Sequence, residues 1–245
     1  MASPSVTSTV RVSEAANPLT RDIDVADTGS LVRLLGASDA MLFTGFAGLP
    51  NISSDEMVGK GVRVARAMAD ALAHPRGRVV FSGCGTSGRL AHLTARSGNA
   101  WLARRADGGS GAGRFDYLLA GTDAALLLPQ EQVEDKPTAG REDLAAWLAA
   151  EGVGADVPVV VIGISCGLSA TYVASMLHAA LERPATTAVA MGFNPVEAVR
   201  HVRVDGWEHS FYSTMAAMMG PHAHHAVVFN PAAGPETIAG SSRTW

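Results

Sequence analysis

The sequence predicts an α/β fold, a three-layer α/β/α sandwich around a mainly parallel sheet. Three observations lead there. Short apolar, β-branched runs alternate along the chain with longer segments of helical periodicity. Two of those runs break into loops of glycine and hydroxyl residues that lead directly into helices. Finally, 245 residues of which 47% are hydrophobic suffice for one domain with a full core.

Taken in order, residues 1–16 are Ser/Thr-rich without the apolar centre of a signal peptide, and a disordered leader is expected. Because Arg11 faces only one acid there, Glu14, an organelle-targeting leader is the alternative. Residues 17–245 are read as a single domain. Asn17 to Asp24 form a polar arm before a helix whose apolar positions Leu31, Leu34 and Leu35 recur at helical spacing, with Thr28 or Ser30 as cap. A second helix runs from Ser53 or Ser54 to about Ala73, capped by Ser54 and ended by Pro75 and Gly77. The first strand, Val79–Phe81, opens into Ser82–Gly83–Cys84–Gly85–Thr86–Ser87–Gly88–Arg89, and Leu90–Ala103 follows as a helix. Asp107–Gly113 is a glycine-rich surface loop. Strands follow at Tyr117–Ala120 and Val157–Ile164, separated by an acidic stretch and a helix through Leu144, Trp147 and Leu148. Ser165–Cys166–Gly167–Leu168–Ser169 then leads into a helix through Val173, Met176 and Leu181. Strands Thr186–Met191 and Ala226–Phe229 enclose helices around Val196–Val199 and over Trp207–Met219, where Trp207 and Phe211 share a face against the sheet. The end, residues 230–245, is a Gly/Pro turn with polar residues that stops where a helix is expected, so the domain reads as truncated at its C-terminal side.

Strand, glycine loop and helix together make an anion site: glycines let the backbone approach the ligand, and the first helical N–H groups point at it along the helix dipole. Neither common nucleotide fingerprint is present, since the first loop lacks the P-loop lysine and its glycines do not match a dinucleotide turn. Hydroxyls without that lysine suit a sugar phosphate, and the alternative is a glycine turn with an ordinary Ser/Thr cap. Two such loops at the carboxyl ends of parallel strands converge where the strand order reverses.

A formal charge of −4 gives no support to nucleic-acid binding, and no apolar run reaches the length of a membrane span. The two cysteines, Cys84 and Cys166, suggest a reducing, cytoplasmic setting rather than a disulfide framework. His222, His224 and His225 have no carboxylate or thiol beside them in sequence, so an exposed polar loop is expected and no metal. No cofactor is expected.

Four blocks, NPLTRDIDV from Asn17, GCGTSGRLA from Gly83, ISCGLSA from Ile164 with GFNPV from Gly192, and NPAAGPETIAGSSR from Asn230, carry a family resemblance. They resemble the sugar isomerase (SIS) fold, flavodoxin-like in layout, in the branch shared by N-acetylmuramic acid 6-phosphate etherases and glucokinase regulatory proteins. IGISCGLSA and GFNPVEAVR with a following Trp favour the regulatory side. The resemblance implies a phosphate-binding pair at Thr86 and Ser87, a second phosphate loop at Ser165, Cys166 and Gly167, and a sugar-facing carboxylate at Glu134. It also implies a homodimer in which one copy completes the other's site, and it leaves nuclear localisation open beside the cytoplasm.

Two departures bear on activity. Etherases place a proton-abstracting glutamate where this chain has Ser97, and a serine cannot be that base. No catalytic residue is therefore assigned, with Glu134 the candidate if the chain is a lyase. Regulatory proteins of this branch have two SIS domains and a helical cap, whereas this chain has one domain, so inhibition of a sugar kinase does not follow directly. The readings that remain are a non-catalytic sensor of fructose phosphates such as fructose 6-phosphate, a lyase or sugar-phosphate isomerase, and a structural subunit that binds nothing.

Overall fold

The computed structural model of the chain describes residues 11–105, 113–128, 130 and 132–238. Its five strands are β1 (Arg78–Gly83), β2 (Phe115–Leu119), β3 (Val159–Ile164), β4 (Thr186–Met191) and β5 (Ala226–Phe229). All neighbouring pairs are parallel, in the order β2-β1-β3-β4-β5. That is the doubly wound order in which the chain reverses direction between β1 and β3. The expected fold class is the observed one. β3 starts two residues later than the apolar run suggests, because Val157 closes a turn onto the Gly154 carbonyl and Pro158 has no N–H for a ladder.

Alternation along the strands sorts the core into two layers. Val79 and Phe81, Val160 and Ile162, Val189 and Val227 face α2 (Asp55–Ala73) and α3 (Gly85–Arg105), meeting Val64, Ala71, Ala91 and Ala95. Val80, Val159, Val161, Ala188, Ala190 and Val228 face the other side. There they meet α5 (Pro137–Ala150), α6 (Thr171–Leu181) and α7 (Phe211–Met219), through Leu144, Leu177, Phe211 and Met215. α6 is the buried centre of this layer, with nine of its eleven residues inaccessible. Gly140 lets α5 lie against it, since a Cβ at Gly140 would stand 2.0 Å from the Tyr172 carbonyl oxygen.

Several caps differ from expectation. Helix α1 (Thr28–Thr44) is capped by Asp27, whose carboxylate accepts the Ser30 N–H (3.0 Å) and hydroxyl (2.7 Å), so Thr28 and Ser30 lie inside the first turn. Ser54 does cap α2. The helix expected from Trp207 begins only at Phe211, because Ser210 and Ser213 exchange side-chain and backbone hydrogen bonds in a capping box. Trp207 therefore lies outside the helix, half-buried beside His178 and His209. Residues 196–198 make a single 3-10 turn rather than a longer helix. The expected glycine-rich loop lies outside the described residues over 107–112.

Part of the expected leader is ordered. Residues 12–14 form a 3-10 turn with Ser13 buried. The Ser13 N–H donates to Asn194 Oδ1 (3.2 Å), and its carbonyl accepts the Glu236 N–H (3.0 Å). The arm that follows is closed by the far end of the chain. Asn17 Nδ2 donates to the Pro235 carbonyl (3.0 Å) and Ser38 Oγ (2.9 Å), and the Thr20 hydroxyl donates to the Thr237 carbonyl (2.7 Å). Residues 232–237, expected as a polar end, are correspondingly buried. The side chains of Asn17 and Thr20 and the backbone of Ser13 are each hydrogen-bonded to another chain segment, which is what permits their burial.

Candidate functional site

β1 and β3 are paired so that Gly83 stands opposite Ile164, and the two glycine–hydroxyl loops therefore leave adjacent strands at the same end of the sheet. In the first, only Cys84 separates the end of the strand from the start of the helix. Gly85 takes a left-handed φ of +53°, and α3 begins there, so Thr86 and Ser87 lie in its first turn. The first N–H groups of such a turn have no intrahelical acceptor. Gly83 and Gly88 make this turn tight: a Cβ at Gly83 would stand 2.7 Å from the Ser87 backbone carbon, and one at Gly88 would stand 2.0 Å from Leu119 Cδ1. Thr86 is exposed and Ser87 half-buried. Arg89 turns away from the loop, donating to the carbonyls of Leu126 (3.3 Å) and Ala125 (3.2 Å) and holding α4 (Ala124–Leu127) against α3.

The second loop is stiffer. Ser165 is buried, and its hydroxyl oxygen accepts the N–H groups of Ser169 (3.1 Å) and Ala170 (3.4 Å). Its side chain thus shapes the entry to α6, a use the sequence reading did not foresee. Leu168 sits fully buried at a left-handed φ of +51°, an unfavourable conformation for a side-chain-bearing residue held by its surroundings. Cys166 is half-buried with its carbonyl accepting the Phe193 N–H (2.9 Å), so it acts through its backbone. The Gly167 carbonyl accepts Asn194 Nδ2 (3.3 Å). Asn194, from the GFNP segment, also donates to the Ser13 hydroxyl (3.0 Å) and is inaccessible. Its residue type alone did not reveal this linking role.

Glu134 is brought to the same end through its backbone. Its carbonyl accepts the Tyr172 N–H (2.9 Å) and the Thr171 hydroxyl (3.1 Å) at the start of α6, while its side chain is exposed. Next to it, Asp135 is engaged by the Arg200 guanidinium. The carboxylates of Glu134 and Asp135 also reach the first loop electrostatically. Burial first, then these two charges, pushes the Cys84 thiol up to about 12. Burial, with Glu236 and Glu14, raises Cys166 to about 11. Both cysteines carry free thiols. Because the thiolate is the reactive form, we expect both to react with Ellman's reagent at neutral pH at least about a hundredfold more slowly than free cysteine. A fast phase in the folded protein would contradict this.

Thus the structure gathers Thr86, Ser87, Ser165, Cys166, Gly167 and Glu134 around the ends of β1 and β3. Ser97 is not with them. It is exposed on α3 eleven residues past Thr86, about 16 Å along the helix axis. Two surface clefts lie elsewhere. One of about 250 Å³ lies beside Arg141, His178, Glu182, Trp207 and His209, toward the far end of α6. The other, of about 360 Å³, lies at the opposite end of the sheet, by Arg63, Asp70, Val159 and His225. The expected polar histidine loop stacks on itself, His224 on His225 and His225 on His222. Among the described residues no group of three or more His, Cys, Asp or Glu side chains is arranged to hold a metal ion.

Residues 63–181 match the family model of the glucokinase regulatory protein N-terminal SIS domain, a span that contains both loops and Glu134. That stretch of the chain is similar to a SIS domain of that branch. Over 239 residues it is 36% identical to the glucokinase regulatory protein of Xenopus laevis, covering 95% of this chain and 37% of that protein. The human glucokinase regulatory protein is 36% identical over 244 residues, 96% of this chain and 37% of the relative. The N-acetylmuramic acid 6-phosphate etherase of Salmonella typhi is 30% identical over 234 residues, 95% of this chain and 63% of the etherase. The chain thus spans little more than a third of the length of the regulatory proteins it matches. Among the described residues, no helix is long and apolar enough to cross a membrane.

Proposed function

We propose that this SIS domain is a non-catalytic sensor that binds a sugar phosphate, with fructose phosphates as the ligand class, and reports it to a partner. The observation that carries this reading is the adjacency of two glycine–hydroxyl loops at the switch point between β1 and β3. One loop presents hydroxyls and unpaired N–H groups from the first turn of α3, and the other is locked in shape by Ser165 and Leu168. Thr86 and Ser87 hold the phosphate, the backbone of Ser165–Gly167 flanks it, and the Glu134 carboxylate faces the sugar hydroxyls.

Similarity to glucokinase regulatory proteins supports a sugar kinase as the partner. A homodimer in a cytoplasmic setting, with one copy adding side chains to the other's site, completes the proposal. The alternative is an etherase-like lyase, and Ser97 speaks against it. It lacks an ionisable group, and within one copy even a carboxylate there would sit far from a phosphate at Thr86.

Fructose 6-phosphate at a hundred times its dissociation constant adds about 2.7 kcal/mol to folded-state stability. We expect this to raise the melting temperature by roughly 5–10 °C, with no lactate released from N-acetylmuramic acid 6-phosphate. No shift with any hexose phosphate would leave the structural-subunit reading. Lactate release at an etherase's rate would establish the lyase.

A further inference from the structure

Binding a phosphate dianion calls for a cation, and the two loops supply none. Arg89 is committed to the Ala125 and Leu126 carbonyls, and Arg200 to Asp135 and the Ser169 carbonyl. A cation does reach the second loop, from the start of the chain. The Arg11 side chain lies over Gly167, with Cδ and Nη1 each 3.9 Å from the point where a Cβ on that glycine would stand. The segment carrying it is fixed to the same loop: Asn194 accepts the Ser13 N–H and donates to both the Ser13 hydroxyl and the Gly167 carbonyl. Glu236 N–H to the Ser13 carbonyl closes the other side. Arg11 is therefore brought to the loop by a buried anchor rather than by chance exposure. Its guanidinium is paired with Glu14 Oε1 at 2.6 Å, three residues on in the same turn, and that carboxylate is half exposed.

We propose that Arg11 is an anion-binding residue of this site, held in waiting by Glu14, and that the ligand's phosphate takes the place of the Glu14 carboxylate. An Arg fork suits both partners, since carboxylate and phosphate oxygens offer it the same paired acceptors. A solvent-facing i,i+3 ion pair contributes little stability, so exchanging it for a doubly charged ligand is favourable. This inference rests on the sugar-phosphate reading and adds a residue to it that neither loop contains.

The test is calorimetric titration of the full chain with fructose 6-phosphate and with inorganic phosphate, in wild type, Arg11→Gln, Arg11→Lys and Glu14→Gln. Arg11→Gln should weaken both ligands by roughly tenfold. Arg11→Lys should recover part of that loss, because it restores charge without the fork. Glu14→Gln should bind both ligands at least as tightly as wild type, because the competing carboxylate is gone. The melting temperature of the unliganded Arg11→Gln variant should match wild type, separating a lost ligand contact from a lost fold. Arg11→Gln binding both ligands like wild type overturns the assignment and leaves the sugar-phosphate reading intact. So does Glu14→Gln weakening binding as much as Arg11→Gln, which would make the pair a structural brace. A wild-type chain that binds neither ligand overturns the reading itself, and this inference with it.

Discussion

Replacing Thr86 by valine and Ser87 by alanine together is expected to weaken fructose 6-phosphate binding by about a hundredfold. Each hydroxyl that donates to a phosphate oxygen contributes roughly 1.5 kcal/mol or more, close to a factor of ten in affinity. Both side chains belong to the first turn of α3 and neither is fully buried, so the helix should survive the change. Calorimetry on wild type and variant reads the effect, and the unliganded melting temperature checks the fold. Ser165 is a poorer probe, because its hydroxyl oxygen holds the entry to α6 and its removal mixes a stability cost of about 1 kcal/mol with any loss of binding. If the Thr86/Ser87 variant binds like wild type, the first loop is an ordinary turn and the ligand sits elsewhere.

The second large effect concerns stability. Gly140→Ala should destabilise the domain by about 3 kcal/mol, lowering the melting temperature by roughly 6–12 °C. The new Cβ would stand 2.0 Å from the Tyr172 carbonyl oxygen and 2.6 Å from Ser175 Oγ, so α5 must move off α6. A backbone oxygen cannot swing aside as a side chain does. Since Glu134 lies just before α5 and its carbonyl caps Tyr172, the same displacement should loosen the sugar-facing side of the site. Thermal unfolding followed by circular dichroism measures this, and a shift below 2 °C would mean the helices can separate freely.

Much of the fold was legible because its signals are local. Unbroken apolar runs such as Val159–Ile162 have few fates other than a buried parallel strand, and the bounds expected for Thr186–Met191 and Ala226–Phe229 are those observed. The first loop was legible for the same reason, through Gly83 and Gly88, which leave no room for a Cβ. What stayed hidden was long-range. Ser13 looks like one serine among many in a polar leader, and only its pairing with Asn194, 181 residues away, makes it core. Ser165 looked like a ligand-facing hydroxyl because a cap and a phosphate donor share one residue type. The sequence reading named Thr28 or Ser30 as the cap of α1, whereas Asp27 is the cap; all three are ordinary capping residues, and only the backbone geometry separates them.

The closure of the arm by Pro235 and Thr237 has a consequence for synthesis. Asn17 and Thr20 leave the ribosome well before their partners, which follow 218 and 217 positions later. At ordinary elongation rates that is a wait of roughly ten to forty seconds. Throughout it, the nascent arm lacks the Pro235 and Thr237 carbonyls that close it, and Ser38 has no Thr237 hydroxyl beside it. A protease present during translation should therefore cut between Arg11 and Asp27 readily, and one added after release should not.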